Sequence, residues 1–473
     1  MFFSTRNKEI KETSSKALID SISKDGGLFI KDDFKKLDIK EMLNLSYEEL
    51  ALSILSTIFD DLDEGTLKEA ISKAYSKNNF PDKITDVSVF NNFSFLELFH
   101  GPTLTFKDMA LSLLPHLLDI ATKKENFNKK IMILTATSGD TGSATLQAFS
   151  NKNNIHVSVL YPDNGISNIQ ERQMLYYSSP TSQAYAITNA NFDDCQTMAK
   201  HILNKENDKY FLSSANSINV GRLFPQIVYY FKGYFDLVRS NKIKMYDEID
   251  VVVPTGNFGN ILSSYIAKQM GLPIKNIACA SNENRVLTDF FETGIYDSNR
   301  EFIKTNSPSM DILISSNLER LLYLLSRSND EVAKYMSNLK MHGKFEVSDE
   351  IKVKLKEFKA ESVSQKETLE LINQCFNENN YLIDPHTAVA YGVYKKLNLQ
   401  NYTMIVATAS PYKFPETILD AFNCKCGCVG FDAIRKVEEI TNTKMPKQLK
   451  KLEDSNIPKY CLALSEIEKK IFS

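Results

Sequence analysis

Residues 96–111 read LELFHGPTLTFKDMAL, a turn followed directly by an apolar segment of helical character. Gly101 and Pro102 mark the turn, because both residue types interrupt regular structure. Lys107 stands where the predicted helix begins, and the partial positive charge of a helix start disfavours a second positive charge there. Lys107 is therefore either an ordinary surface lysine or a lysine held as a neutral amine, which can attack a carbonyl group.

From about residue 87 onward, short apolar strands alternate with helices. We predict strands at residues 131–134, 156–161, 249–253 and 403–407. Strand–loop–helix units in series form a mostly parallel sheet with helices on both faces, which is an α/β fold. Ligands of such sheets bind at the carboxyl ends of the strands, so the loops that follow strands are the candidate site.

The chain has 473 residues, which is more than one domain needs. The N-terminal part lacks the strand–helix alternation and is predicted to be largely helical. We divide the chain into an N-terminal auxiliary domain (1–90), a first α/β region carrying Lys107 (91–240), a second α/β region carrying a glycine loop (241–425) and a C-terminal helical extension (426–473).

The composition excludes several classes of protein. Lys+Arg 56 against Asp+Glu 59 gives a net charge of −3, which argues against a nucleic-acid partner. The N-terminus MFFSTRNKEI is charged where a signal peptide is apolar, and the most apolar window, residues 109–120, is too short to span a membrane. Seven thinly spread cysteines suit a reduced protein. We expect a cytoplasmic monomer or small homo-oligomer with no membrane partner.

Three of the cysteines, Cys424, Cys426 and Cys428, alternate in the sequence CKCGC. Alternate residues of a strand point to the same face, whereas zinc sites usually have a CxxC-type spacing. We interpret the three as one buried face of a strand, and we expect no metal site.

Two loops after predicted strands carry candidate binding groups. Residues 137–142 read TSGDTG, and their hydroxyls and backbone amides suit a carboxylate or a similar anion, although a plain tight turn has the same composition. Residues 254–260 read PTGNFGN, and their two glycines let the backbone approach a phosphate closely. The second loop matches neither the P-loop nor the GxGxxG pattern, which indicates a phosphorylated cofactor other than a nucleotide.

Together these features resemble the fold-type II pyridoxal-phosphate enzymes, and among them most closely the threonine synthase family in its long bacterial and fungal form. STRNKE and DGGLF near the N-terminus fit that form. Seven further segments resemble the family in order along most of the chain: HGPTLTFKDMAL, TATSGDTGSA, SSANSINVGRL, VPTGNFGN, SPSMDILISSNLERLL, DPHTAVA and ATASPYKF.

The resemblance implies a pyridoxal 5'-phosphate cofactor held by Lys107 as a Schiff base. It places Asp140 beside the ring hydroxyl and Thr408 beside the pyridine nitrogen. It assigns the cofactor phosphate to Gly256, Asn257, Phe258, Gly259 and Asn260. One departure concerns the last motif, which usually reads AHPAKF in the family and here has Ser410 and Tyr412 in place of the histidine and the second alanine.

The resemblance also implies the substrate, O-phospho-L-homoserine, which loses phosphate from its γ carbon and gains water at its β carbon to give L-threonine. Lys107 is then the natural proton shuttle. The substrate carboxylate is assigned to Thr137, Ser138 and Thr141. The departing phosphate needs cationic partners, and the candidates are Arg172, Arg222 and Lys413, with Asn216 and Ser217 as further donors, although any one of these cations can equally be a surface charge.

Three alternatives stay open. A serine or threonine dehydratase or a phospho-lyase of the same fold type shares Lys107 and the cofactor loops, and differs in its product. A non-catalytic ligand-binding relative would normally lose the lysine or a loop, and both are present. A nucleotide-binding Rossmann protein lacks its fingerprint here.

Overall fold

The structure is a computed structural model that describes the chain except residues 138, 151, 153, 204, 206, 454, 456 and 473. Its strands are β1 (Phe2–Ser4), β2 (Asn7–Glu12), β3 (Phe29–Ile30), β4 (Asp86–Val89), β5 (Phe93–Glu97), β6 (Lys130–Ala136), β7 (Ile155–Pro162), β8 (Ser182–Ile187), β9 (Tyr210–Ser213), β10 (Ile249–Pro254), β11 (Ile274–Ser281), β12 (Ile295–Asp297), β13 (Lys344–Glu346), β14 (Phe358–Ser362), β15 (Thr403–Ala407) and β16 (Tyr460–Leu462).

The α-helices are α1 (Ser14–Asp20), α2 (Ile39–Met42), α3 (Tyr47–Ile58), α4 (Glu64–Ala74), α5 (Asp108–Leu111), α6 (Leu114–Lys124), α7 (Asp140–Phe149), α8 (Asn168–Tyr176), α9 (Phe192–Leu203), α10 (Val220–Leu223), α11 (Ile227–Arg239), α12 (Gly259–Gln269), α13 (Val286–Thr293), α14 (Leu318–Ser326), α15 (Asn329–His342), α16 (Asp349–Leu355), α17 (Gln365–Asn379), α18 (Pro385–Lys396), α19 (Pro415–Ala421), α20 (Gly430–Thr441), α21 (Lys447–Glu453) and α22 (Leu464–Phe472). Within the described part of the chain, none of them is both long and apolar enough to cross a membrane.

A six-stranded sheet of order β14-β11-β10-β15-β5-β4 forms one half of the molecule. Its strands are parallel except for the edge pair β4 and β5. Every residue of β10 and β15 is buried, because the central strands of a parallel sheet are covered on both faces. The predicted strands at 249–253 and 403–407 are confirmed.

A five-stranded parallel sheet of order β16-β8-β7-β6-β9 forms the other half. The predicted strands at 131–134 and 156–161 correspond to β6 and β7. Both sheets direct loops from the carboxyl ends of their strands into one pocket, which is lined by Thr141 and Asn216 from this sheet and by Thr255 and Thr408 from the six-stranded sheet. The predicted α/β architecture with mostly parallel sheets is confirmed.

Long-range strand pairing crosses the predicted division into four regions. Strand β5 lies in region 91–240 but pairs with β15 in the six-stranded sheet. Strand β16 lies in the predicted helical extension but pairs with β8. The N-terminal part has helices α1–α4, as predicted, and adds a three-stranded antiparallel sheet of order β2-β1-β3.

The prediction for Cys424, Cys426 and Cys428 is wrong. Residues 424–428 form an irregular loop between α19 and α20, Cys426 is exposed, and Cys424 and Cys428 are half-buried. Residue alternation alone could not separate a strand from a loop here, because Gly427 takes a left-handed backbone conformation with φ of 67° that ends any extended run.

Candidate active site

Lys107 caps the N-terminus of the short helix α5 and is 8% exposed. Its Nζ donates to Ser309 Oγ at 3.5 Å and lies 3.6 Å from Asp140 Oδ2. Burial lowers the pKa of Lys107 to about 8, and the charges of Lys413 and Arg222 act in the same direction against the attraction of Asp140. About a tenth of the amine is therefore neutral at pH 7, and burial rather than the helix start is the main cause of the lowered pKa.

Asp140 opens helix α7 and is held by several partners at once. Its Oδ1 lies 2.8 Å from Lys413 Nζ and accepts a hydrogen bond from Gln170 Nε2 at 2.9 Å. Burial favours the neutral carboxyl, but Lys413 and Lys107 outweigh it and hold the pKa of Asp140 far below its usual range. Asp140 is thus a carboxylate beside Lys107.

Lys413 is completely buried in the loop after β15. Besides its pairing with Asp140, its Nζ donates to the carbonyl oxygen of Thr103 at 2.7 Å. A buried ammonium group is stable only when it is paired, and Lys413 has two such partners. Lys413 therefore links the turn before Lys107 to the loop after β15.

The glycine loop after β10 leads directly into α12. Phe258 takes a left-handed conformation with φ of 64°, and the helix begins at Gly259. Asn317 holds the loop, since its backbone N–H and its Nδ2 both donate to the carbonyl oxygen of Asn257, at 3.1 and 2.9 Å. Helix α12 therefore directs unpaired backbone amides at the pocket, as an anion site requires.

Two buried donors of the pocket lack a protein partner. Asn260 accepts hydrogen bonds from Tyr229 and Tyr230 at Oδ1, both at 2.6 Å, which leaves its Nδ2 pointing elsewhere. Arg222 donates to the carbonyl oxygen of Ala215. Asn260 Nδ2 and Arg222 Nε have no hydrogen-bond partner among the residues that the structure describes. Unpaired buried donors are costly unless a ligand accepts from them, so these two atoms indicate an anionic ligand.

The pocket brings most of the predicted site residues together. It is lined by Lys107, Thr141, Asn216, Ser217, Arg222, Gly256, Asn257, Phe258, Gly259, Asn260 and Thr408. Asp140 and Lys413 lie beside it through their contacts with Lys107 and with each other.

Two predicted substrate-binding residues lie elsewhere. Arg172 does not reach the pocket, since its guanidinium donates to the carbonyl oxygens of Leu452 and Glu453 at 3.0 and 2.7 Å. Thr137 Oγ1 accepts from the backbone N–H groups of Gly139 and Gly142, at 2.9 and 3.0 Å, and so braces its own loop. Ser138 lies outside the described residues.

Sequence reasoning gave no role to Ser309 and His386, which also line the pocket. The backbone N–H of Ser309 donates to His386 Nε2 at 3.2 Å. Because Nε2 accepts, the ring proton is on Nδ1, which donates to Asp384 Oδ2 at 2.6 Å. Asp384 also caps α18, in which Pro385 occupies the first turn. Ser309 lies in the motif SPSMDIL and His386 in the motif DPHTAVA, but neither motif alone shows that the two residues are in contact.

The pocket fits the cofactor that the resemblance implies. An aldehyde carrier needs a buried amine with a lowered pKa, which Lys107 supplies. A phosphate needs amides at a helix start and donors left unpaired by the protein, which α12 and Asn260 supply. Gly259 lines the pocket, and an added Cβ there would clash with no protein atom, since its nearest neighbours lie in ordinary contact at 3.5–3.6 Å.

The chain matches two protein families by sequence. The family described as "Pyridoxal-phosphate dependent enzyme" matches residues 95–408. The family described as "Threonine synthase N terminus" matches residues 1–75.

Individual relatives extend the similarity. The chain is 35% identical to "Threonine synthase" of Saccharomyces cerevisiae over 96% of this chain and 93% of that protein. It is 41% identical to "Threonine synthase-like 1" of Macaca fascicularis over 87% of this chain, but it spans only 58% of that protein's length. The structure is similar to that of a PLP-bound threonine synthase from Brucella melitensis, with a TM-score of 0.89 at 32% identity, over 99% of this chain and 98% of that chain.

Proposed function

The chain belongs to the threonine synthase family of pyridoxal-phosphate dependent enzymes, and we propose that it converts O-phospho-L-homoserine and water into L-threonine and phosphate. Pyridoxal phosphate is the cofactor of this family. When bound, it supplies an electron sink that stabilises negative charge on the substrate carbons.

One observation carries the choice of substrate: the buried Arg222 has an unpartnered Nε in the same pocket as Lys107 and the glycine loop. The glycine loop and Asn260 would hold the cofactor phosphate. The carboxylate of an amino-acid substrate is assigned to Thr141, so a buried cation in addition to these groups fits a substrate that also carries a phosphate. Arg222, supported by Asn216 and Ser217, is the cationic side of the site for that phosphate.

In this proposal each side chain has a defined task. Lys107 would hold the cofactor covalently, and its free amine would accept and return protons at the α and β carbons of the substrate. Asp140 remains ionised beside it because of Lys413, and it would orient the amine and the cofactor ring. Thr408 would offer a neutral hydroxyl to the pyridine nitrogen, and Thr141 would donate to the substrate carboxylate; both residues line the pocket.

Lys107 and Arg222 are both buried, so these two groups of the pocket are shielded from bulk solvent. Ser309 Oγ, which accepts from Lys107 Nζ, keeps the amine directed into the pocket. His386 and Asp384 hold the Ser309 backbone in that place. All seven cysteines are free thiols, which suits a reducing compartment, and we extend the proposal to a cytoplasmic enzyme.

A product assay tests the proposal. The protein loaded with pyridoxal phosphate is incubated with O-phospho-L-homoserine, and threonine, phosphate, 2-oxobutanoate and ammonia are measured. The proposal requires threonine and phosphate in equal amounts, and a Lys107→Met control that forms neither. Formation of 2-oxobutanoate with ammonia in place of threonine would instead establish a dehydratase or phospho-lyase.

A further inference from the structure

Three thiols lie within five residues in the CKCGC loop, which we define as residues 424–428 between α19 and α20. Cys426 is exposed, and Cys424 and Cys428 are half-buried against the apolar cluster beneath the loop. The backbone N–H of Gly430, where α20 begins, donates to Glu416 Oε1 of α19 at 2.8 Å. The loop is therefore fixed at its end while the Cys426 thiol faces solvent.

The backbone of the loop brings Cys426 and Cys428 together. Residues two apart in an extended chain are about 7 Å apart, slightly beyond the span of a disulfide. Gly427 has a φ of 67° and bends the chain, and an added Cβ there would meet nothing within 4 Å. The backbone N–H of Cys428 already donates to Cys426 Sγ at 3.2 Å. The two thiols are thus positioned on one side of a tight, unobstructed turn.

The surroundings favour the thiolate form of Cys426. Hydrogen bonds from the Cys428 thiol and backbone amide, and a weaker one from the Cys424 thiol, lower the pKa of Cys426, whereas the pairing with Cys426 raises the pKa of Cys428. Lys436 of α20 pairs with Glu439, which raises its pKa, and the nearby Cys424 and Cys426 thiols raise it further. Asp432, the acidic neighbour on α20, acts on Cys428. One thiol of the pair is thereby prepared as the nucleophile and the other as its resolving partner.

The remaining cysteines lack these features. Burial raises the pKa of Cys195, Cys279 and Cys375 to about 12, so their thiols stay protonated. Cys461 is exposed but has no second cysteine close to it in the sequence. In the described part of the chain, no group of three or more His, Cys, Asp or Glu residues is arranged to hold a metal ion. The geometry therefore favours thiol chemistry over metal binding at the CKCGC loop.

We propose that the CKCGC loop is a site of reversible thiol oxidation, in which Cys426 and Cys428 form a disulfide at the expense of a low-molecular-weight disulfide. The Cys426 thiolate attacks one sulfur of that disulfide, forms a mixed disulfide and releases one small thiolate. Cys428, on losing its proton, attacks Cys426 Sγ and releases the second small thiol. Two protein thiols are oxidised and one small disulfide is reduced to two thiols, so the step balances.

Peptide mapping of the holoprotein tests the proposal. The protein is equilibrated with glutathione disulfide, quenched in acid, alkylated and digested with trypsin without reduction. Trypsin cleaves after Lys425 and Arg435, so Cys424 leaves in peptide 414–425 while Cys426 and Cys428 stay together in peptide 426–435. The expected product is peptide 426–435 lacking two hydrogen atoms and unalkylated, restored by added reduced glutathione.

Matched variants distinguish this reaction from general thiol oxidation. Cys428→Ser is expected to accumulate the glutathione adduct on Cys426, whereas Cys461→Ser is expected to leave the parental result unchanged. Cys426 is also expected to be modified several-fold faster than Cys461. Peptide 426–435 with both thiols alkylated, a cross-link of it to peptide 414–425, or equal modification of Cys426 and Cys461 would overturn the proposal.

Discussion

Asp140 pairs more closely with Lys413 than with Lys107, at 2.8 Å against 3.6 Å. Both lysines are buried, but the carboxylate neutralises mainly the one that is fixed by a second bond, to the carbonyl oxygen of Thr103. Lys107 is left with a weaker partner and a second positive charge nearby. This arrangement explains how the Lys107 amine can be partly neutral although the Asp140 carboxylate lies beside it.

Replacement of Lys413 by methionine is expected to raise the pKa of Lys107 above its parental value of about 8. The change removes a repelling charge and frees Asp140 for Lys107, and both effects favour the ammonium form. Because only the neutral amine captures an aldehyde, the rate of covalent capture of pyridoxal phosphate by the apoprotein rises through this pKa. The midpoint of this pH–rate profile is expected at higher pH in Lys413→Met.

Lys366→Met is the control for that profile, since the Lys366 side chain is 88% exposed. Its midpoint is expected at the parental pH. An unchanged midpoint in a folded Lys413→Met protein would show that Lys413 does not act on Lys107.

Substitutions at two glycines of the glycine loop distinguish an effect on protein packing from an effect on ligand binding. At Gly256 an added Cβ would lie 2.6 Å from the carbonyl oxygen of Ser309, so Gly256→Ala is expected to lower the free energy of unfolding. At Gly259 the nearest protein atom is 3.5 Å away, and alanine is the better helix former by up to about 1 kcal/mol. Gly259→Ala is therefore expected to keep or raise stability in urea. Because Gly259 lines the pocket, its added methyl group is also expected to crowd a bound phosphate, so that the cofactor is lost on dialysis. Normal cofactor content in Gly259→Ala would place the phosphate elsewhere.

Arg222→Met is expected to lower kcat/KM for O-phospho-L-homoserine by about 10- to 100-fold, the effect of losing a charge-assisted hydrogen bond. The absorbance of the bound cofactor should not change, and inhibition by inorganic phosphate should weaken. Arg172→Met is the matched control, because Arg172 binds the carbonyl oxygens of Leu452 and Glu453 outside the pocket. Equal kinetics of the two variants would remove Arg222 from the substrate site.

Arg320 is expected to stabilise the folded chain. It is completely buried, and its guanidinium donates to the carbonyl oxygens of Phe29 and Ile218 and to the Asn317 side chain. Arg320→Met leaves these acceptors unpaired, and we expect a loss of about 2–4 kcal/mol in the free energy of unfolding. Arg327→Met, at a half-exposed arginine, is expected to change it by less than about 0.5 kcal/mol. A small effect of Arg320→Met in urea unfolding would contradict this role.

The sequence was sufficient to predict features that depend on neighbouring residues. Strands β6, β7, β10 and β15 follow from short apolar runs, and the glycine loop follows from its position after one of them. Pairings between distant segments were not predictable in this way. Strand β16 pairs with β8, and Lys413 meets Thr103 across 310 positions of sequence.

The candidate cations illustrate the same limit. Arg222 and Arg172 both lie near motif residues, and nothing local in the sequence distinguishes the pocket residue from the one bound to helix α21. The orphaned Nε of Arg222 becomes visible only in the folded chain. The prediction for the CKCGC loop was wrong for a different reason, since alternating cysteines are also compatible with a turn at Gly427.

Reduction of the holoprotein with borohydride, followed by peptide mapping, is the most direct test of Lys107 as the lysine that binds the cofactor. Borohydride fixes the covalent link between a lysine and pyridoxal phosphate, and two buried lysines, Lys107 and Lys413, flank Asp140 as possible attachment points. We expect the reduced cofactor on Lys107 alone, because Lys107 lines the pocket and burial lowers the pKa of its amine to about 8. Cofactor attached to Lys413, or to any lysine outside the pocket, would contradict this assignment.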